Sequence, residues 1–466
     1  MLFNTIEFLL FFPIVTILFY LLPSKFRWIH LLTASCFFYM FFIPQYILIL
    51  FITILIDYYA GIKIEQVPTH RKKLYLIASI IATCLVLFIF KYFNFFNQNI
   101  NSLSSYFGFS YSIPLVKIIL PIGLSFHTFQ SLSYVIEVYK GKQKAEHHFG
   151  VYSLYVMFYP QLVTGPIERP QNLLRQLREK QKYNYSNIIE GLRLILFGLF
   201  LKMVVADSIA EYVDTIYANV DQQNSLSVWI AIFLYSFQIY CDFYGYSTIA
   251  IGAAKTMGFS LMDNFKNPYL AKSISEFWQR WHISLSTWFR DYIYFSLGGN
   301  RVKIYRWMIN ILIVFTVSGL WHGASWTFIA WGAAHGILYI IEFGINKIVP
   351  TFTHSKIISF IKIIFIFLIV SLIWVLFRAT DFTQAIHIYK AAFNNLKLVQ
   401  TVTINPIIWI SLLVFIILDT LLFNSRFDFW CRNQHTLIRW TLYSCMIFGI
   451  IVFSSVADYP FIYFQF

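Results

Sequence analysis

The chain has 466 residues, of which 59% are hydrophobic and only 12% charged, where a soluble globular domain carries about 25% charged side chains. Its mean hydropathy of +0.65 excludes water as the solvent for most of its surface, and no long polar stretch marks a soluble domain. The formal net charge of +14 would suggest nucleic acid on a soluble protein; here the basic residues cluster in short loops, positive-inside topology accounts for them better, and no nucleic-acid partner is expected.

A crossing helix needs about 20 apolar residues. In chain order, candidate spans lie near 5–22, 28–44, 46–63, 74–94, 114–138, 149–164, 188–206, 226–257, 305–321, 324–345, 357–378, 406–423 and 438–456. That is roughly 11 to 13 crossings, and the Pro and Gly interruptions predict kinked or re-entrant pieces. The first run begins almost at Met1 without a basic leader or a small-residue cleavage site, so it reads as a retained span. The loop around Lys63, Arg71, Lys72 and Lys73 is assigned to the cytoplasm. The uncharged 95–112 loop is assigned outside, and the loops holding Lys140, Lys142 and Lys144, then Arg175, Arg178 and Lys180, inside again. This alternation places the N-terminus outside. The segment near Glu211, Asp214 and Asp221 has no basic residue and reads as external.

Hydropathy falls between about 258 and 304, where no span fits. Ser273 and Glu276 form an S-x-x-E capping box. Beyond it Ile274, Phe277, Trp278, Trp281, Leu285, Trp288, Phe289 and Tyr292 recur at helical spacing, with a polar stripe of Ser275, Gln279, His282 and Ser286 beside them. The pattern predicts an amphipathic helix at an interface or lining a polar cavity, ended by the turn signal Leu297-Gly298-Gly299-Asn300.

Ionisable groups inside a membrane are costly, which makes each a candidate for function. His322 lies in Ser318-Gly319-Leu320-Trp321-His322-Gly323, at the end of an apolar run, with glycines that admit close approach. A neutral imidazole there can take a proton from an attacking hydroxyl; the bland alternative is a core histidine bonded to a carbonyl. His335, 13 residues on, would be rotated by about 220° on one continuous helix. It reads as structural unless Gly323 breaks that helix. His282 sits on the polar stripe and either orients His322 or is a solvated interfacial residue, and His127 reads as packing beside a Pro/Gly break. Asp242, in a long apolar run, needs a partner such as Lys202 or an arginine of the 280–301 region. Arg280, Arg290 and Arg301 suit the phosphates of a nucleotide-bearing donor, with positive-inside placement as their alternative, weightier for Arg301. The five cysteines form no CxxC pair, and His147-His148 lacks metal-ligand spacing, so neither a metal nor a disulfide is expected. Walker A, HExxH and GxSxG patterns are absent, against an ATP-driven pump, a zincin or a serine hydrolase.

Several stretches carry a family resemblance: Pro121 to Gln130 (PIGLSFHTFQ), Phe158 to Arg169 (FYPQLVTGPIER), Gln238 to Ser247 (QIYCDFYGYS), Phe277 to Ser286 (FWQRWHISLS), Arg290 to Arg301 (RDYIYFSLGGNR), Trp321 to Gly336 (WHGASWTFIAWGAAHG) and the ending Pro460 to Phe466 (PFIYFQF). In this order they resemble the membrane-bound O-acyltransferases, and within them the bacterial alginate O-acetyltransferase branch. The resemblance implies an all-α polytopic bundle with re-entrant and interfacial helices around a central tunnel. It would be one membrane-embedded domain over 1–466 with an interfacial segment at 258–304, in the bacterial cytoplasmic (inner) membrane. It implies His322 as the essential residue and His282 as the second catalytic position, with Arg280, Trp281, Asp242, Trp321 and Arg290 as candidate donor contacts. The activity it implies is acetyl transfer from cytoplasmic acetyl-CoA, a donor substrate with no bound cofactor, to an exported polysaccharide such as an alginate-like glycan or peptidoglycan. The partners implied are membrane lipids and a periplasmic acetyl-accepting, esterase-like protein. A D-alanyl transfer protein for teichoic acid, a transporter and a non-catalytic scaffold remain alternatives.

Overall fold

The structure, a computed structural model, describes residues 1–109, 111, 113–116, 120–163, 165–348, 355–394, 404–453, 459 and 461–464. Thr164, Pro460, Gln465 and Phe466, which belong to the stretches quoted above, lie outside it. Among the described residues the secondary structure is helical, with no strand, as the hydropathy pattern requires of a chain whose backbone polar groups must be satisfied within each segment. Seven helices are long and apolar enough to cross a membrane, and Ile6–Leu21 and Pro406–Leu421 are shorter apolar helices. The protein is a multi-pass, all-α membrane protein. Several expected spans run as shorter or interrupted helices, with π segments at Phe88–Tyr92 and Phe200–Ala206 among the interruptions.

The chain forms two compact units. The first comprises Met1–Ile195 with Ser247–Met262. It contains α1 (Ile6–Leu21), α2 (Arg27–Met40), α3 (Ile47–Gln66), α4 (Thr69–Leu87), α5 (Phe93–Tyr106), α6 (Leu124–Tyr139), α7 (Phe149–Met157), α8 (Tyr159–Leu162), α9 (Pro170–Arg178) and most of α10 (Tyr185–Leu199). The loops that charge assigns to the cytoplasm gather at one end of this unit. Arg27 Nη1 donates to the Gln181 carbonyl at 2.6 Å, His147 Nε2 lies 2.9 Å from Glu65 Oε2, and Arg178 pairs with Glu146. The Met1 ammonium donates to the Phe38 carbonyl, 3.2 Å away near the opposite end of α2. Gly123, in the left-handed region at φ 79°, starts α6; a Cβ there would stand 2.8 Å from the Leu162 carbonyl oxygen.

The second unit comprises Leu196–Tyr246 and Asp263–Phe466. It holds α11 (Asp207–Ala218), the first part of α12 (Ser225–Thr256), α13 (Ile274–Arg280), α14 (Ile283–Phe289), α15 (Ile304–His322), α16 (Trp326–Ile348), α17 (Lys356–Arg378), α18 (Phe382–Asn394), α19 (Pro406–Leu421), α20 (Phe427–Arg432) and α21 (Thr436–Phe453). Helices α15 and α16 form a tight antiparallel pair whose backbones touch at glycines. A Cβ on Gly319 would meet the Phe328 carbonyl oxygen, and one on Gly332 the Phe315 carbonyl oxygen, each at 2.2 Å. Small residues permit such contact where lipid supplies no hydrophobic drive.

Candidate active site

Helix α15 ends at His322 because Gly323 takes up extended backbone, φ −156° and ψ 146°. The chain re-enters α16 at Trp326. A Cβ on Gly323 would fall 2.1 Å from the Phe328 ring, so any other residue would require that ring to move. This break delivers the His322 side chain, 8% exposed, into an aromatic enclosure. Its ring centroid lies 5.2 Å from Trp331, 5.5 Å from Phe377 and 5.6 Å from Tyr463. The ring of His282 lies 6.5 Å away.

The 274–292 pattern does not fold as the single amphipathic helix that its periodicity predicts. Ser273 caps α13 as expected, its Oγ accepting from Glu276 N at 3.0 Å. The reciprocal arm differs from a capping box, since Glu276 Oε2 accepts from Lys272 N at 2.8 Å. The helix then stops, and His282 enters the left-handed region at φ 42°, ψ 54° before α14 begins. That conformation is unfavourable for a side chain with a Cβ. It is held by Asn264, 18 residues earlier: Ile283 N donates to the Asn264 carbonyl at 2.9 Å, while Asn264 Oδ1 accepts from Ser284 N at 3.2 Å and from Ser284 Oγ at 2.7 Å.

This anchor also sets the His282 tautomer. A backbone N–H can only donate, so the Asn264 atom facing Ser284 N is the carbonyl oxygen. That same oxygen lies 3.2 Å from His282 Nδ1, which must therefore carry the proton, leaving the lone pair on Nε2. Phe243 closes the other side of the ring edge-on at 4.6 Å. Burial, reinforced by any positive charge on His322, pushes the His282 imidazole well below its ordinary range.

His335 belongs to the same enclosure. Its ring lies 5.1 Å from Trp331, which also neighbours His322. The Gly323 break is the condition under which the two histidines can approach one group, and it is met. His335 is fully buried, and neither ring nitrogen has a hydrogen-bond partner among the described residues. The same holds for Asn264 Nδ2, Trp331 Nε1 and the Tyr463 hydroxyl. Buried polar atoms without partners are expensive; such atoms also occur elsewhere in the chain, at His127 Nδ1 and Tyr152 among others, and here several of them adjoin the two imidazoles.

Three members of the polar stripe, Ser275, Gln279 and Ser286, line a cavity of about 410 Å³ together with Arg290 and Ser318; Ser318 is one turn before His322 on α15. His282 does not share that wall, because its left-handed conformation turns it toward Asn264.

The remaining sequence candidates have partners of their own in the second unit. Arg280 is held by Glu276 Oε1, the Lys266 carbonyl and Asn424 Oδ1, each at 2.9 Å. Trp281 is buried among aromatic rings, 5.0 Å from Trp374 and 5.1 Å from Phe265. Trp321 is half-buried beside His322, and Arg290 pairs with Asp291 at 3.0 Å. Asp242 finds Lys202 at 2.8 Å, and Lys202 also binds Asp207 at 2.7 Å. Asp242 Oδ2 further accepts from Ile462 N at 2.7 Å, and Lys202 donates to the Tyr459 carbonyl at 3.1 Å. This buried cluster fastens the C-terminal segment whose Tyr463 faces His322. His127, in the first unit, is a packed residue whose Nε2 lies 3.3 Å from Thr53 Oγ1.

Asn264, Phe377, Trp331 and Tyr463 escape sequence reasoning as site residues. Asn264 lies in the dip of hydropathy and Tyr463 in the quoted ending, but only the fold brings them to His282 and His322.

Residues 145–379 match the sequence profile of MBOAT, the membrane-bound O-acyltransferase family. The chain is 37% identical over 387 residues to a probable alginate O-acetylase of Azotobacter vinelandii, covering 83% of this chain and 76% of the relative. It is 37% identical over 389 residues to a probable alginate O-acetylase of Pseudomonas aeruginosa, covering 83% and 73%. It is 36% identical over 393 residues to a peptidoglycan O-acetyltransferase of Helicobacter pylori, covering 77% and 72%.

Proposed function

The chain belongs to the membrane-bound O-acyltransferase family, and from that premise we propose that it is an O-acetyltransferase of the bacterial inner membrane. It takes the acetyl group of cytoplasmic acetyl-CoA and delivers it to a hydroxyl of an exported polysaccharide, an alginate-like glycan or peptidoglycan, directly or through a periplasmic acetyl-accepting protein. The observation that carries this reading is the pair of buried imidazoles of His282 and His322, 6.5 Å apart, at a glycine-made helix break.

In this reading His322 takes the proton of the acceptor hydroxyl as its oxygen attacks the thioester carbonyl. The tetrahedral intermediate collapses by breaking the C–S bond, and the proton held by His322 passes to the leaving sulfur, giving the acetyl ester and free CoA. His282, with its proton fixed on Nδ1, presents a lone pair to the enclosure and orients the reacting groups. The aromatic walls exclude water, which protects the thioester from hydrolysis. Arg290, in the wall of the cavity behind Ser318, is the group assigned to donor phosphates. Trp321 and Trp281 shape the site, while Arg280 and Asp242 act by holding α13 and the C-terminal segment in place.

Deleting the gene in its native host and measuring O-acetyl content of each exported glycan tests the proposal. One glycan is expected to lose its acetyl esters and to regain them on complementation. Unchanged acetylation of every exported glycan, or uptake of a solute without any acetylation, would overturn it.

A further inference from the structure

The end of the first unit that loop charge assigns to the cytoplasm contains a cavity of about 550 Å³, lined by none of the residues given a role in acyl transfer above. Its rim carries Lys25, Arg27, Arg178 and Lys180. Arg178 is balanced by Glu146, and the one acid on the rim, Glu179, by Arg175 at 3.7 Å. Lys25, Arg27 and Lys180 have no carboxylate within ion-pair distance among the described residues. The guanidinium of Arg27 is rigid nonetheless. Neutral carbonyls of Leu22, Gln181 and Tyr20 receive its N–H groups at 3.1, 2.6 and 3.3 Å, and it lies 4.9 Å over the Phe19 ring. These contacts fix its geometry and leave its charge unneutralised.

Below the rim the cavity turns apolar, with Trp28, Leu31, Leu154 and Phe259 among its lining. Its mouth adjoins the end of α1 and the turn before α2, where Leu18, Leu21 and Phe26 are exposed apolar side chains, of the kind a membrane-spanning chain presents to lipid. A cationic rim over an apolar floor at a lipid-facing edge matches a phosphate ester that carries acyl chains. A soluble nucleotide has no need of the adjoining lipid-facing surface.

We propose that this cavity binds the phosphate headgroup of an anionic phospholipid of the cytoplasmic leaflet, with Lys25, Arg27 and Lys180 supplying the uncompensated charge.

The test uses the full-length protein in nanodiscs of phosphatidylcholine with and without phosphatidylglycerol, read by melting temperature, since a ligand that binds only the folded state stabilises it. Phosphatidylglycerol is expected to raise the melting temperature of the wild type, and Lys25→Gln/Lys180→Gln to lose at least half of that rise while melting normally in phosphatidylcholine alone. Arg71→Gln/Lys73→Gln removes the same charge from another loop of this face and is expected to keep the rise. The proposal is overturned if both double variants lose it equally, which would mean diffuse surface charge. It is also overturned if the Lys25/Lys180 variant keeps it, or if inorganic pyrophosphate in pure phosphatidylcholine reproduces it, which would assign a soluble phosphate.

Discussion

Two buried polar clusters in the second unit stand in contrast. In the Lys202–Asp207–Asp242 cluster the ammonium meets two carboxylates at 2.7 and 2.8 Å and a backbone carbonyl at 3.1 Å, and Asp242 also receives a backbone N–H. Around His282 and His322 the same kind of expensive burial encloses His335, Asn264 Nδ2, Trp331 Nε1 and the Tyr463 hydroxyl, polar atoms without partners among the described residues. The first cluster spends its charges on each other and on the chain terminus, as a structural tie does. The second leaves hydrogen-bonding capacity unused within the fold, which the proposed reaction would employ. They meet in the C-terminal segment: Ile462 is bound by the first and Tyr463 faces the second.

The contrast predicts that the clusters fail differently. His322→Ala is expected to bring glycan acetylation in a complemented deletion strain down to the level of the deletion itself, with membrane abundance unchanged; loss of a general base costs about 10²- to 10⁴-fold. Lys202→Met is expected to act through stability, because it strands two carboxylates in the interior. Breaking a buried pair costs about 3–5 kcal/mol, to be seen as a lower melting temperature and reduced yield. A Lys202→Met protein as stable as the wild type would erase the distinction.

Asn264→Ala is expected to sharpen it. The variant frees His282 Nδ1 and removes the side-chain half of the anchor on the left-handed turn, keeping the main-chain bond to Ile283 N, so activity should fall about 10-fold, the scale of losing a group that orients a site histidine, with a smaller change in melting than Lys202→Met gives. Tyr463→Phe keeps the ring against His322 and removes only its partnerless hydroxyl. Normal melting with reduced transfer would mean that the hydroxyl meets the guest, and unchanged transfer that the ring alone matters.

The smallest expected effect is on pH. The folded site holds His282 below its ordinary pKa, near 6.5 in an unfolded chain. Above that pH neither state binds the proton. Below it the unfolded chain takes a proton that the folded site refuses, so stability is lost as pH falls from about 6.5 toward the folded pKa, by at most about 1.4 kcal/mol per pH unit for one proton. His282→Asn is expected to flatten this part of the melting-temperature profile; an unchanged slope would assign it to other groups.

Local signals were legible in the sequence and long-range ones were not. The apolar runs, the Ser273 cap, the end of a helix at His322–Gly323 and the need of Asp242 for a basic partner follow from composition and nearest neighbours, while the choice of Lys202 over an arginine of the 280–301 region does not. The break at His282 does not, since local periodicity favours a continuous helix and the opposing contacts come from Asn264. Nor does the place of His335, where the rotation rule holds only for an unbroken helix and Gly323 breaks it. Tyr463 and Phe377 reach His322 from distant helices and loops, and hydropathy carries no record of such pairings. The resemblance pointed to His322 and His282, and the structure supplies the physical reason the two meet.

The central claim is that the His282–His322 enclosure is the reaction centre and not a packed core. Purified wild type and His322→Ala, reconstituted side by side and supplied with radiolabelled acetyl-CoA and the acceptor glycan or partner identified in the host, test it most directly when thiol release, label transfer and melting are measured on the same samples. The account predicts equal melting temperatures, with thiol release and transfer at background in the variant; a His322→Ala protein that melts normally and still transfers label at the wild-type rate would contradict it.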